Sequence, residues 1–260
     1  MKDFFWALNF LTTVPTGKRW YERQPKTGNV VFWFPIIGLL MGFMLTFVYI
    51  PATRIFPHLV ADAIILIIYI VITGGFHLDG FADTCDGIFG GSTRERRLGI
   101  MRDSQIGSYG ALCLICTVGL KYACLVSIDP EAVAGLSFIS DHKTISDLNP
   151  LYLYACEKGK VLLVMCALGR WSQVLGAALS NYARDEGGTG KIIIENVKIR
   201  HALYSSFIPG ILIFLFCGIK GIFIFCAVFF VVIFLVSYMK KKIGGMTGDT
   251  LGALNEVSEL

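Results

Sequence analysis

Charged residues are scarce in this chain of 260 residues. Asp, Glu, Lys and Arg make up 16% of the sequence, whereas a soluble domain carries about 25%. Hydrophobic residues make up 55% and stand in long blocks. The sequence therefore excludes a soluble globular protein and predicts an all-α, polytopic helical bundle, a single integral membrane domain over residues 1–260. A small-residue cleavage site is also missing after the first apolar segment, so we expect no cleavable signal peptide.

The two cysteine pairs that a zinc site requires are missing as well. Cys113 and Cys116 have CxxC spacing, but they lie inside an apolar segment with no second pair nearby. We therefore expect neither a zinc site nor a redox site there, and no disulfide framework among the eight cysteines. Most of them are expected to act as small apolar side chains.

Six apolar segments are candidates for membrane spans, each close to the roughly 20 residues that a span requires. They are predicted at about residues 30–50, 59–76, 107–128, 161–180, 202–218 and 221–239. Residues 4–14 are too few to cross and are predicted to form an interfacial or re-entrant helix. A short helix is expected at the C-terminus. Lys121, near the end of the third span, is expected to extend to the interface.

Lys and Arg alternate between the two sides of these spans. Segments 15–28, 78–106, 181–201 and 240–242 carry four, four, four and three of them, against five in the intervening loops. The positive-inside rule then places both termini and the segment 77–103 on the cytoplasmic side of the inner membrane. The polar stretch 129–160 is expected on the opposite side, away from the chemistry.

Residues 77–103 hold four aspartates and four arginines between two apolar segments. On a helix, Asp79, Asp83 and Asp86 would point within roughly 60° of one another. Three carboxylates on one face repel unless solvent screens them or a cation neutralises them. The pattern therefore predicts either a solvated acidic helix end or an Mg²⁺ or Mn²⁺ site. Such a site would hold one ion at Asp83 with a neighbour, or two ions bridged through Asp83.

Arg170 lies inside the fourth predicted span. An arginine there costs at least about 2.5–3.5 kcal/mol unless it is paired or faces water. We therefore predict that it binds an anion or pairs with a carboxylate from residues 79–86 or from Asp249. The alternative is an arginine that extends to the interface or bridges helices.

The arginines of the segment 77–103 also have two interpretations. A basic cluster at a membrane edge contacts lipid headgroups. Beside a metal face, however, guanidinium groups stabilise charge on a transferred phosphoryl group, which favours a catalytic role for at least one of them. Gly107 and Gly110 allow a close backbone approach or helix packing.

A histidine and the C-terminal acids complete the candidates. His77 would face away from the aspartates by about 160° if the helix includes it, and could act if the helix begins at Asp79. Asp249, Glu256 and Glu259 have spacings of seven and three. They form either a second acidic face that binds metal or orients a hydroxyl, or an amphipathic tail on the membrane surface.

Several motifs stand in a characteristic order: HLDGFADTCDG, RERRLGIMRDSQIGSYG, GRW, YARDEG and GGMTGDTLGALNEVSE. With LNFLTTVPTG and FWFPIIGLLMG, they resemble the cobalamin synthase family (adenosylcobinamide-GDP ribazoletransferase) over most of the chain. The resemblance implies an Mg²⁺-dependent integral enzyme of the cytoplasmic membrane. It would join adenosylcobinamide-GDP to α-ribazole, or its 5′-phosphate, to give adenosylcobalamin, or its phosphate, and GMP. The family would continue into another apolar helix beyond Leu260, so we expect a truncated or half-inserted tail.

For that reaction we hypothesise a set of roles. Asp79, Asp83 and Asp86 would hold Mg²⁺ on the diphosphate, and Asp103 would complete its shell. Asp249 or Glu256 would take the proton of the attacking hydroxyl. Phosphates would be held by four arginines: Arg97, Arg102, Arg170 and Arg184. His77 and Ser104 are further candidates for substrate contact.

There are two alternative functions, a related type of membrane enzyme and a protein of another class. Residues 83–87 (DTCDG) match the start of the CDP-alcohol phosphotransferase signature, but Gly90 and Gly91 stand where Ala-Arg would follow. A transporter with an acidic cation path would carry its charges at mid-membrane. In this sequence only Arg170 is predicted at that depth, and the carboxylates are predicted at one face. The expected partners are the substrates and membrane lipid. No nucleic-acid partner is expected. A homo-oligomer or a complex with other cobalamin-assembly enzymes stays open.

Overall fold

The computed structural model describes residues 2–16, 28–128, 150–185 and 187–260. Within them the fold is all-α, as predicted, and Tyr182 and Met246 form an isolated β-bridge. Two predicted features lie outside the described residues: the basic side chains Lys18, Arg19, Arg23 and Lys26, and part 129–149 of the polar stretch.

The helices follow one another along nearly the whole described chain. In order they are α1 (Lys2–Leu11), a 3₁₀ turn (Gly28–Phe32), α2 (Trp33–Ile55), α3 (His58–Thr73), α4 (Phe76–Gly90), α5 (Arg94–Ile100), α6 (Ser108–Ser127), α7 (Pro150–Ala178), α8 (Thr189–Asn196), α9 (Ile199–Ser205), α10 (Phe207–Cys217), α11 (Lys220–Ile243) and α12 (Gly248–Ser258).

Five helical segments are long and apolar enough to cross a membrane. In the described part of the chain they are Gly28–Ile55, Ser108–Ser127, Ala155–Ala178, Ile199–Cys217 and Lys220–Ile243. Helix α3 coincides with the remaining predicted span, and it passes the same test only together with α4. Large apolar side chains such as Phe223, Phe230 and Phe234 are exposed on α11, as expected for a helix that faces lipid. The prediction of a multi-pass membrane protein is therefore confirmed.

Two glycines turn the chain between α3 and α4. Gly74 and Gly75 both have left-handed backbone angles, with φ of 64° and 67°. A residue with a Cβ atom is disfavoured there by roughly 1–2 kcal/mol. The two helices are bent by 86°, so α4 runs across the direction of α3 instead of extending it.

Helix α7 is the central helix of the bundle. It packs on α2 through Gly38 and Gly42, where an added Cβ atom would lie 2.3 Å from the Cys166 carbonyl oxygen and 2.6 Å from the Leu163 Cα. This is the small-xxx-small spacing by which membrane helices approach closely.

The C-terminal helix α12 lies inside the bundle, between α4 and α7. Its side chains Leu254, Asn255 and Glu256 are at most 1% exposed. The alternative of an amphipathic tail on the membrane surface is therefore wrong. The tail is buried because α12 presents a small residue to one neighbouring helix and, as described below, ion pairs to two others.

Candidate active site

Helices α4 and α12 meet at a glycine contact that brings three aspartates to one place. A Cβ atom on Gly80 would lie 2.9 Å from the Cα atom of Asp249. Because α4 begins at Phe76, Asp79 and Asp83 lie one turn apart on the same helix, next to that contact. The helical arrangement predicted from their spacing is confirmed. The sequence did not predict which residues Asp249 contacts, and in the structure Asp249 lies directly against α4.

The carboxylates of this cluster disfavour one another's ionisation, and a bound metal ion would relieve that effect. Partial burial, followed by the charges of Asp79 and Asp249, raises the pKa of Asp83 to about 7. Burial also raises the pKa of Asp249, while Arg184 opposes that shift. Asp79 is exposed and Asp83 half-buried. The cluster is thus open to solvent and to a charged ligand.

Arg184 forms an ion pair with Asp249 of this cluster. Its Nη2 atom donates to Asp249 Oδ2 at 2.6 Å and to the Met101 carbonyl oxygen at 3.3 Å. Its Nε atom is buried and has no hydrogen-bond partner among the residues that the structure describes. The Thr247 hydroxyl also donates to Asp249 Oδ2, at 3.2 Å. The guanidinium therefore orients Asp249 and keeps one donor available for a further acceptor.

The loop that carries Arg184 is held against the start of α12. The Ala183 amide donates to the Met246 carbonyl oxygen, and the Met246 amide donates to the Asn181 carbonyl oxygen, each at 2.9 Å. Thr247, the next residue, caps α12 by accepting from the Thr250 amide. Arg184 and Asp249 are therefore placed by one continuous backbone arrangement.

Asp86 has a different environment from the other two aspartates of α4. Its two carboxylate oxygens accept from the Gly107 and Gly110 amides, each at 2.8 Å. It thereby caps the N-terminus of α6, whose own N-cap residue is a glycine without a side chain. The close backbone approach predicted for Gly107 and Gly110 is confirmed, and it serves Asp86. A metal-ligand role for Asp86 stays a prediction, but both of its oxygens already have donors.

The turn between α5 and α6 carries three other candidates: Arg102, Asp103 and Ser104. All three are exposed. Asp103 Oδ1 accepts from the Gln105 amide at 3.1 Å, which stabilises the turn locally. The roles of the three residues stay predictions.

Two arginines of the basic segment cap the C-terminus of α11. Arg97 Nη1 donates to the Lys242 carbonyl oxygen at 3.2 Å, and Arg94 Nε donates to the Ile243 carbonyl oxygen at 3.0 Å. These carbonyls have no partner within their own helix. A guanidinium is the natural group to satisfy them. A direct catalytic role for Arg97 remains a prediction beside this structural one.

A second, fully buried group of charges lies between α3, α6, α7 and α12. Lys121 Nζ is 2.7 Å from Glu256 Oε2 and 2.5 Å from Glu259 Oε2. Arg170 Nη1 binds Glu259 Oε1 and donates to the Tyr69 hydroxyl, the latter at 3.0 Å. Two expectations are corrected here. Lys121 is 6% exposed and does not extend to the interface. The carboxylate partner of Arg170 is Glu259, not a residue of 79–86 or Asp249.

Hydrogen bonds extend this buried group to His77. Gln173 Nε2 lies 2.9 Å from His77 Nε2 and donates to Asn255 Oδ1 at 3.1 Å. Asn255 Nδ2 donates to Glu256 Oε1 at 3.2 Å. Because α4 includes His77, the histidine faces away from the carboxylate cluster. Substrate contacts for His77, Arg170 and Glu256 stay predictions, and the structure places all three in the interior.

Sequence reasoning missed Tyr69, Gln173 and Asn255, and assigned Lys121 to the wrong environment. A usable signal existed for Lys121. A lysine in an apolar helix and acids in a C-terminal segment must find partners if both are buried, and here each is the partner of the other.

The carboxylate cluster has the right donor chemistry for a hard cation. Among the described residues, no three His, Cys, Asp or Glu side chains are arranged as a complete metal site. Mg²⁺, however, is commonly bound by one or two carboxylates together with substrate phosphates. Asp79 and Asp83 supply two such carboxylates, and their repulsion is what a cation would relieve. The residues therefore fit Mg²⁺ bound together with a phosphorylated substrate.

Comparison with known proteins gives one consistent result. Residues 3–260 match the family described as cobalamin-5-phosphate synthase. A relative from Acetivibrio thermocellus, named adenosylcobinamide-GDP ribazoletransferase, is 34% identical over 259 residues, which cover 100% of this chain and 94% of that protein. Proteins of the same name from Clostridium acetobutylicum and Escherichia coli (strain K12) are each 32% identical, over 97% and 100% of this chain and 90% and 97% of theirs. No solved structure matches the chain.

Proposed function

The chain belongs to the cobalamin-5-phosphate synthase family, and on this premise we propose that it is an adenosylcobinamide-GDP ribazoletransferase. It joins adenosylcobinamide-GDP to α-ribazole or α-ribazole 5′-phosphate. The products are adenosylcobalamin, or its 5′-phosphate, and GMP. The full-length match and the names of the relatives support this reaction over a CDP-alcohol phosphotransferase or a transporter.

The reaction is a substitution at phosphorus. The oxygen of a ribose hydroxyl on α-ribazole forms a bond to the phosphorus that carries the corrinoid ester. The bond from that phosphorus to the bridging diphosphate oxygen breaks, and GMP leaves with that oxygen. The hydroxyl proton must pass to a base, and charge on the departing phosphate must be stabilised.

One observation carries the assignment of this site. The glycine contact between α4 and α12 sets Asp249 beside Asp79 and Asp83, and Arg184 binds the same Asp249. These contacts support a proposal in which Asp249 is the base, Asp79 and Asp83 bind the metal ion, and Arg184 binds phosphate.

Asp249 is the better of the two bases considered. Its contacts with Arg184 and Thr247 both use Oδ2, so Oδ1 is the atom that would accept the hydroxyl proton. Glu256, by contrast, is buried and bound to Lys121. A base in that position would have to break an ion pair in the interior.

Arg184 would bind the diphosphate directly, and Asp79 and Asp83 would bind it through a metal ion. The Nε–H of Arg184, which has no hydrogen-bond partner among the described residues, would donate to a phosphate oxygen, since guanidinium groups bind phosphate strongly. Asp79 and Asp83 would hold Mg²⁺. When bound, that ion would neutralise phosphate oxygens and the charge of the leaving group.

The decisive experiment is a turnover assay on the full chain in nanodiscs. Adenosylcobinamide-GDP and α-ribazole are added with and without Mg²⁺, and cobalamin and GMP are both quantified. We expect both products only with Mg²⁺, and a loss of about 10²-fold or more in kcat for Asp83→Asn. Glu95→Gln, which removes an exposed carboxylate from α5, serves as the matched control. Full activity of Asp83→Asn, or cobalamin formation in excess EDTA, would refute the metal assignment.

We further propose that this end of the bundle faces the cytoplasm. The proposal rests on the distribution of basic residues along the sequence, and Lys240, Lys241 and Lys242 close α11 next to Arg94 and Arg97. A green fluorescent protein fused directly after Lys242 should be fluorescent, and alkaline phosphatase fused at the same position should be inactive. The opposite pattern would reverse the orientation.

A further inference from the structure

A polar cavity of about 630 Å³ lies beside the loop that carries Arg184. Its wall includes Ser180, Asn181 and Tyr182 from that loop, and Glu195 and Lys198 from α8 and the residues that follow it. Three other cavities, of about 500, 400 and 260 Å³, have mostly apolar walls. This cavity is therefore suited to a ligand with polar edges, and no step described above uses it.

The position of the cavity relates it to the active site. Tyr182, in its wall, precedes Arg184 by two residues, which span at most about 7 Å of extended chain. The bridge between Tyr182 and Met246 holds this part of the loop next to the start of α12. If the base and sugar of a nucleotide occupied the cavity, its phosphate would be close enough to this loop to reach Arg184.

The wall carries one carboxylate and one ammonium group. The Glu195 side chain is 53% exposed and only loosely paired, since its Oε1 atom is 3.8 Å from Lys191 Nζ. Lys198 is exposed. Tyr182 offers an aromatic ring, and Ile194 and Val197 offer apolar surface, against which the flat face of a base can stack.

We propose that this cavity binds the guanosine of adenosylcobinamide-GDP and of the product GMP. The inference rests on the function proposed above, because that function supplies the nucleotide. Guanine presents two adjacent donors, N1–H and the N2 amino group, which one carboxylate accepts together. It also presents two adjacent acceptors, O6 and N7, which a lysine can bind. Glu195 reads the donor edge, and Lys198 reads the acceptor edge.

The same two residues would reject the other purine. Adenine has an acceptor at N1, which faces a carboxylate unfavourably, and an amino donor at the position of O6, which faces an ammonium unfavourably. Hypoxanthine keeps O6 and N1–H but lacks the N2 amino group. The cavity should therefore bind GMP best, IMP less well and AMP least.

Nucleotide binding to the detergent-purified full chain tests this order. Isothermal titration with GMP, IMP and AMP measures the Kd of each, without any need for turnover. We expect Glu195→Gln to weaken GMP binding by roughly ten-fold to a hundred-fold, the range of a two-point contact to a base edge. It should weaken IMP less and leave AMP unchanged. Glu95→Gln is the matched control and should bind all three as the wild type does.

The same variant in the turnover assay separates this inference from the proposed reaction. We expect Glu195→Gln to raise the KM for adenosylcobinamide-GDP with little change in kcat. If the wild type binds GMP no better than AMP, or Glu195→Gln leaves the Kd of GMP unchanged, the guanosine site is refuted. If GMP binds through Glu195 but no cobalamin forms, the guanosine site stands and the proposed reaction fails.

Discussion

Lys121 on α6 and Glu256 on α12 form an ion pair of 2.7 Å in which the two side chains are 4% and 1% exposed. With Arg170 and Glu259 the buried group contains two cations and two anions. A buried ion pair adds little net stability compared with apolar side chains, but removal of one partner leaves an uncompensated charge. The pair therefore specifies where α12 must lie.

Removal of Lys121 should destabilise the fold. We expect Lys121→Met to cost about 3–5 kcal/mol, because the two glutamates would then share one cation. The double variant Lys121→Met/Glu256→Gln restores the charge balance and should recover part of the loss. Thermal unfolding in detergent, without substrate, measures all three proteins. An unchanged melting temperature in Lys121→Met would contradict the buried pair.

Two glycines of α6 should respond differently to the same substitution. At Gly110 a Cβ atom would lie 2.3 Å from Asp86 Oδ2 and 3.0 Å from the Ala82 carbonyl oxygen, whereas at Gly119 nothing lies within 4 Å. Gly110→Ala should therefore cost roughly 1–3 kcal/mol through overpacking and loss of the cap. Gly119→Ala should be neutral or slightly stabilising. Equal melting temperatures for the two variants would mean that Asp86 does not approach the helix start so closely.

The stability of the metal-free protein should depend on the ionisation of Asp83. The folded protein raises the pKa of Asp83 to about 7, above its unfolded value of about 3.9. The folded state therefore binds the proton more tightly, and the contribution of this group to stability is lost as the pH rises from about 4 to about 7. The melting temperature in EDTA should fall across this range, and Asp83→Asn should flatten the fall.

Added Mg²⁺ should act in the opposite sense to this loss. It should raise the melting temperature more at pH 8 than at pH 5, because protons compete with the ion for Asp83 at the lower pH. The same Mg²⁺ effect at both pH values, or in Asp83→Asn, would argue against a metal at this cluster.

Replacement of Arg184 by lysine should affect catalysis more than folding. A lysine keeps the charge but cannot bind Asp249 and a phosphate together through a planar group. We expect kcat to fall by roughly 10²-fold with a small change in melting temperature, because Arg184 is not fully buried. Arg54→Lys, at the exposed end of α2, is the control. Wild-type kcat in Arg184→Lys would remove this residue from the phosphate site.

The sequence predicted the parts of the site that depend on local periodicity. The spacings of four and three between Asp79, Asp83 and Asp86 predicted one face of a helix, because residues at these spacings lie on the same side of a helix. The environments of these residues differ for a reason that their spacing does not contain. The start of α6 approaches Asp86, whereas α12 approaches Asp83. Periodicity states which face a residue occupies and does not state what packs against that face.

The buried charges illustrate the same limit. The prediction that Arg170 needs a partner is confirmed, but the partner is Glu259 and none of the four candidates, which are the three aspartates of residues 79–86 and Asp249. This pairing depends on the entry of α12 into the bundle, whereas the sequence predicted only a truncated or half-inserted tail. The entry of α12 depends on Gly80 and Gly252, where an added Cβ atom would lie within 3.1 Å of the facing backbone. Glycine in a sequence does not by itself identify such a contact.

The balance of charge around Lys121, Arg170, Glu256 and Glu259 has a consequence for a protein in an energised membrane. One elementary charge moved through the whole membrane potential changes free energy by about 2.3 kcal/mol per 100 mV. A group of net charge zero experiences almost no net force from that field. Helix α12, and Asp249 with it, should therefore keep its place whether the cell is polarised or not. A variant that neutralises one of the four would make the position of this helix sensitive to voltage.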